Sequence, residues 1–137
     1  MFIWPVRVYY EDTDSGGVVY YANYLKFMER ARSEWLRSLG HEQDVLAERY
    51  GVLFAVRSVA LNFLKPARFN ELLHVSAIVT HIGGASLRFK QEVSRIKQGR
   101  GPEVLTQGRV SVVCLDVRAF KPMAIPPHLK KDLESAG

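Results

Sequence analysis

The sequence predicts an α+β fold in which one antiparallel sheet curls around one long helix. Three observations carry this: a single long helical apolar face over residues 24–39, four β-like runs separated by turn-sized breaks from residue 52 onward, and a short strand ahead of the helix. The 137 residues suffice for one domain, 1–137, with a real core but no second one.

The first strand is expected over residues 5–10, with Val6 and Val8 on one face and Arg7 on the other. It feeds a polar turn holding Asp12, Asp14, Ser15, Gly16 and Gly17, and the glycine pair suits positive φ and close approach of another molecule. Behind the turn, Tyr24, Met28, Ala31, Trp35 and Leu39, flanked by Leu25, Arg32 and Leu36, recur at three- and four-residue spacing. Gly40 ends that helix. Residues 42–50 read as a shorter, more polar helix closed by Gly51.

From residue 52 the period becomes two. A run over 53–64 places Val59, Leu61 and Phe63 on one face, a run over 71–82 ends in the hairpin signal Gly83-Gly84, and a run over 85–97 alternates Leu87, Phe89, Gln91 and Val93 against Ser86, Arg88, Lys90 and Glu92. The last run, 104–116, aligns Val110, Val112 and Cys114. An extended tail over 121–127 leads to a helical turn or two at 128–135. Such a sheet leaves an edge to cover, and dimerisation is the expected remedy.

Composition excludes several functions. No run of about eighteen apolar residues exists to span a membrane. The start Met1-Phe2-Ile3-Trp4-Pro5 lacks a signal peptide's basic and long apolar regions, so a cytoplasmic location is expected. The single cysteine, Cys114, permits no internal disulfide and reads as a buried small residue. A net charge of +5 and a pI near 9.5 favour anionic partners. The basic residues are scattered, however, and no nucleic-acid-binding signature occurs, so nucleic acid is not expected. His74 and His81, seven apart in one strand, are expected on opposite faces, and His41 and His128 have no second ligand at chelating spacing. No dinucleotide, P-loop or nucleophile-elbow motif is present. An EF-hand reading of Asp12-x-Asp14 fails at Gly16, which has no side-chain oxygen, and at Asn23, where a bidentate Glu belongs.

The chemistry centres on the turn. If Tyr21 or Ala22 opens the helix, the unpaired N–H groups there carry the positive end of the dipole and can hold a developing oxyanion, while Asp14 supplies a base or nucleophile. That arrangement suits acyl transfer. Asp, Ser and Gly are equally the ordinary residues of turns and caps, which is the competing reading of the same stretch.

The stretch from Val6 through Glu11-Asp12-Thr13-Asp14-Ser15-Gly16-Gly17 to Tyr20, followed by Tyr24 and Glu29-Arg30-Ala31-Arg32, closely resembles the Tol-Pal-associated acyl-CoA thioesterases of the hydroxybenzoyl-CoA thioesterase-like hot-dog superfamily. The resemblance continues through Pro66-Ala67-Arg68, Gly84-Ala85-Ser86-Leu87, Val112-Val113-Cys114 and Lys121-Pro122 to Ile125-Pro126. It implies a hot-dog fold, a homodimer or homotetramer with active sites at the dimer interface, and acyl-CoA as substrate. It implies Asp14 as nucleophile or general base, with the N–H near Tyr21 receiving the carbonyl. Tol-Pal-associated members usually carry His where this chain has Tyr21, whereas hydroxybenzoyl-type members can carry Tyr; a backbone donor survives that change. Lys65, Arg68, Ser86, Arg88 and Lys90 are the candidates for holding the substrate, the cations for the phosphates of coenzyme A. No metal or redox cofactor is expected. An acyl carrier protein as the thiol carrier, and a non-catalytic module binding acyl-pantetheine or a protein, are the alternatives.

Overall fold

The computed structural model describes residues 1–136. Five strands form one antiparallel sheet in the order β1-β3-β4-β5-β2. They are β1 (Phe2–Arg7), β2 (Val52–Phe63), β3 (Leu72–Ile82), β4 (Ser86–Arg95) and β5 (Glu103–Asp116). The helices are α1 (Asn23–Ser38), α2 (Gln43–Tyr50) and α3 (Pro127–Ala136).

Helix α1 lies in the concave face of the sheet. Tyr24, Phe27, Met28, Ala31, Trp35 and Leu36 are buried there, and Leu39 is partly so. Opposite them, Leu87, Phe89, Gln91 and Val93 of β4 and Val110, Val112 and Cys114 of β5 turn inward. The alternation expected for both strands holds. Phe27, absent from the expected stripe, is fully buried because the stripe is wide enough to include the position one turn before Ala31. Leu25, by contrast, is exposed.

Gln91 is the polar member of this interior. Its amide nitrogen donates to Met28 O at 3.0 Å and Ser76 O at 3.1 Å, and its oxygen accepts from Arg32 Nη1 at 2.9 Å. A buried amide so satisfied fixes α1 against the sheet in one register.

Several boundaries differ from expectation. Strand β1 ends at Arg7, and Tyr10–Asp12 forms a 3₁₀ turn because the Asp12 carboxylate accepts the Tyr9 N–H at 2.8 Å and bends the chain out of the sheet. Val6 and Val8 are nevertheless both buried. Helix α1 starts at Asn23, since the Asn23 and Tyr24 N–H groups bond back to Tyr20 O and Tyr21 O in a tighter turn first. Of the glycine pair only Gly17 takes positive φ, at 78°. Gly51 closes α2 in the left-handed conformation, as the sequence suggests.

The expectation that His74 and His81 face opposite ways is overturned. A bulge between Val79 and His81 shifts the register, so that His74 pairs with Ser94 and His81 with Arg88, both on the outer face. Among the described residues, no group of three or more His, Cys, Asp or Glu is placed to hold a metal ion. Among the same residues, no helix is long and apolar enough to cross a membrane.

Because Phe27 contributes its whole ring to the α1–sheet core, Phe27→Ala should lower unfolding free energy by about 3–5 kcal/mol, read from chemical denaturation. A loss under about 1 kcal/mol would mean that the helix is not held by this face.

Candidate active site

The loop between β1 and α1 is a small hairpin. Its stem is the Thr13–Val19 bridge, and Asp14 N–H donates to Val18 O at 2.9 Å while Gly17 N–H donates to Asp14 O at 3.1 Å. Asp14 stands at the exposed tip, one carboxylate oxygen accepting the Gly16 N–H at 2.8 Å. That bond holds the side chain in place. Among the described residues no partner meets its second oxygen, which leaves an acceptor available to a ligand.

Asp12, the other acid, is a bracket. Its carboxylate binds the Tyr9 N–H, and its carbonyl accepts both the Tyr20 N–H and the Asn23 side-chain amide, each at 2.9 Å. These bonds tie the hairpin directly to the first turn of α1. The two acids of the sequence pattern thus part company, one structural and one free.

Where α1 begins, the N–H groups of Tyr21 and Ala22 meet no acceptor among the described residues. They lie at the positive end of a sixteen-residue helix. Beside them is a mainly apolar groove lined by Val19, Tyr21, Tyr24, Phe63, Leu64 and Pro66, with Lys65 also on its wall. Tyr21 is well exposed, its ring edge-on to Phe63 at a centroid distance of 6.2 Å.

A second loop braces this end. Ala67 O accepts the Val19 N–H at 2.8 Å, the Ala67 N–H donates to the buried Tyr24 hydroxyl at 3.0 Å, and Arg68 forms a bridge with Val18. Arg95 holds that loop from below, donating to Pro66 O at 2.7 Å, to Glu103 at 2.6 Å and to Glu71. Lys65 binds Glu103 at 2.6 Å. These cations, Lys65 foremost and then Arg95, pull the Glu103 carboxyl down to about 2.

The substrate-holding candidates are not brought together within one chain. Lys65 and Arg68 flank the hairpin, Lys65 already sharing Glu103. Arg88 and Lys90 project from the outer face of β4, opposite Ser111 and Arg109 of β5. Ser86 sits at the far end of β4, its carbonyl accepting the Gly83 N–H at 2.7 Å in the β3–β4 turn. Cys114 is buried, which pushes its thiol up to about 11 and makes it inert near neutrality.

Sequence reading passed over Tyr24 as a hydroxyl acceptor, Arg95 as a hub, and the Gln91–Arg32 contact. A glutamine amid Leu87, Phe89 and Val93 was the available signal, since a polar group on a buried face needs partners.

A sheet wrapped in this way around one central helix is the hot-dog thioesterase fold. The family model described as the Thioesterase superfamily matches residues 16–102. The acyl-CoA thioesterase YbgC of Haemophilus influenzae is 42% identical over 129 residues, covering 94% of this chain and 91% of that one. The acyl-CoA thioester hydrolase YbgC of Escherichia coli O6:H1 is 44% identical over 130 residues, covering 94% and 92%. The crystal structure of a probable thioesterase from Bartonella henselae superposes with a TM-score of 0.81 at 34% identity, covering 90% of this chain and 98% of that one. The chain belongs to the thioesterase superfamily and is a thioester hydrolase.

The Glu103 cluster makes the brace acid-sensitive. Its carboxyl titrates near 2 when folded against 4.5 ordinarily, so its contribution to stability is full above about pH 4.5 and is lost as pH falls toward 2. Melting temperature should therefore fall more steeply across that window in the wild type than in Glu103→Gln. Parallel slopes would show that the cluster adds no acid-linked stability.

Proposed function

We propose that this chain hydrolyses acyl-CoA thioesters to a free carboxylic acid and coenzyme A, with Asp14 as nucleophile or general base. What supports this reading above all is that a carboxylate with an available oxygen stands on a hairpin tied through Asp12 to the helix start that carries two unpaired amides. The thioester carbonyl oxygen accepts from the N–H of Tyr21 or Ala22, which stabilises the negative charge that develops there. As a base, Asp14 takes a proton from water as the water oxygen attacks the carbonyl carbon; the C–S bond then breaks and the thiolate is protonated. As a nucleophile, its oxygen forms an acyl anhydride, releasing the thiol, and water then cleaves the anhydride. Tyr21 contributes its amide at the helix start and its ring to the groove. Neither route calls for a metal or redox cofactor.

Lys65 and Arg68, beside the hairpin, are proposed to hold coenzyme A phosphates, together with Arg88 and Lys90 where the nucleotide crosses the outer face. Ser86 enters such a site only when a second copy carries it there. The exposed inner strip of β2, with Val56, Val59 and Phe63 uncovered, favours a homodimer joined along that edge, with pairing of dimers into a homotetramer as the further step. A second reading, hydrolysis from an acyl carrier protein, is favoured by the cations Arg88, Lys90 and Arg109 grouped on that outer face. The cytoplasmic location and the Tol-Pal association expected from the sequence belong to the same proposal.

Asp14→Asn should retain fold and assembly while lowering thiol release from acyl-CoA by roughly 10²–10⁴-fold. Wild-type activity in the folded variant would remove Asp14 from the chemistry, and faster turnover of an acyl carrier substrate would move the assignment to the second reading. Light scattering at micromolar concentration should give at least a dimer mass; a monomer mass would refute the assembly.

A further inference from the structure

A second cavity lies farther along α1, and a cation faces it. Trp35, Phe54, Val56, Leu87 and Phe89 make its apolar walls, and Arg32 lines it with them. The guanidinium is fixed rather than free. Its Nη1 donates to Gln91 Oε1 at 2.9 Å, and because both protons of the buried Gln91 amide are committed to Met28 O and Ser76 O, only an oxygen can be presented to Arg32. That partner is neutral.

Among the described residues no carboxylate reaches Arg32 within ion-pairing distance. Glu29 borders the same cavity, but its carboxylate accepts the Ser33 hydroxyl at 2.9 Å instead. Burial holds the Arg32 guanidinium below its ordinary pKa, with Glu29 opposing the shift. A cation set among apolar walls with one neutral acceptor is stabilised by a visiting anion, and guanidinium matches carboxylate geometry with paired bonds.

The cavity and the groove at the proposed thioester site lie along the same strand, β2. Phe54, Val56, Val59, Leu61 and Phe63 pair with the inward-facing Cys114, Val112, Val110, Gly108 and Thr106, so they form the inner face of β2. Val56, Val59 and Phe63 are 49%, 39% and 52% exposed, leaving an apolar strip that α1 does not cover. Phe63 lines the groove at Tyr21 and Tyr24, while Phe54 and Val56 line the Arg32 cavity. From Asn23 to Arg32 the helix advances about 13 Å, roughly the reach of an extended chain of ten carbons.

We propose that Arg32 reads the far end of the acyl group, and that the chain favours thioesters of dicarboxylic acids of medium length, whose free terminal carboxylate meets Arg32 beside Phe54 and Val56. This rests on the acyl-CoA hydrolase reading and adds the acyl class to it. The measurement is the ratio of kcat/KM for two coenzyme A thioesters of equal length, one ending in a methyl group and one in a carboxylate, at chain lengths of about eight to ten carbons. Wild type should favour the carboxylate-ended chain. Arg32→Gln should lower that ratio by about ten- to hundredfold, and Arg32→Lys by less, because a point charge replaces a fork. The ratio cancels any general damage, since both substrates share the same folded fraction. A wild-type preference for the methyl-ended chain, or a ratio unchanged by Arg32→Gln, overturns the proposal. So does a partner's carboxylate as the true occupant, which would show as Arg32→Gln weakening the dimer with the ratio intact. If no thioester is cleaved at all, the hydrolase reading fails separately, and the anion site is judged by binding. The free dicarboxylate should then raise the melting temperature of wild type and not of Arg32→Gln, and no rise in either sinks it.

Discussion

A sheet with one apolar face can satisfy that face only by folding around something, and here, among the described residues, the long apolar partner is α1. Phe27, Met28 and Ala31 are completely enclosed, so the helix cannot rotate or slide without exposing aromatic and sulfur-bearing side chains worth about 1.5–3 kcal/mol each. Gly108 adds a steric condition. A Cβ there would come within 2.8 Å of the Leu61 side-chain tip and 3.0 Å of the Met28 thioether, so any side chain at this position would displace both from where they pack. Gln91 adds a directional one, because its bonds to Met28 O and Arg32 of α1, with the third to Ser76 O of β3, are met together at one helix position. Apolar burial supplies the energy and the amide supplies the register.

Fixing the helix fixes where its first amides point. The hairpin carrying Asp14 is then bound to that point by Asp12 O at Tyr20 and Asn23, and to the neighbouring loop by Ala67 O at Val19. Asp14 itself contributes nothing to these ties beyond its own turn, which frees its carboxylate to change partners. The ion cluster around Arg95 sits one layer below and holds the bracing loop through Pro66 O. Rigid support under a free acid is the arrangement that catalysis by positioned groups requires.

The uncovered side is as informative as the packed one. Strand β2 pairs with β5 along its whole length but offers its other edge and its inner apolar strip to whatever lies outside the chain. In the proposed assembly a second copy closes this groove, giving the acyl chain a wall and the nucleotide its remaining contacts. Dimerisation and substrate enclosure are then one event, driven by the same apolar surface.

Much of this was legible in the residues. Periodicity distinguished the one helix from the four strands after it, alternation placed Leu87, Phe89, Gln91 and Val93 inside, and the Asp14 turn running into α1 stood out as the candidate site, because each depends on neighbours in sequence or on spacing along one element. What only the tertiary structure decided lies between elements. The outward turn of His81 comes from a bulge in β3, the separation of Asp12 from Asp14 comes from the 3₁₀ turn and the amide of Asn23, and the isolation of Arg32 comes from where β2 and β4 meet α1. No local pattern encodes such facts, since hydrogen-bond partners tens of residues apart are chosen by packing, and packing is fixed only when the sheet closes on the helix.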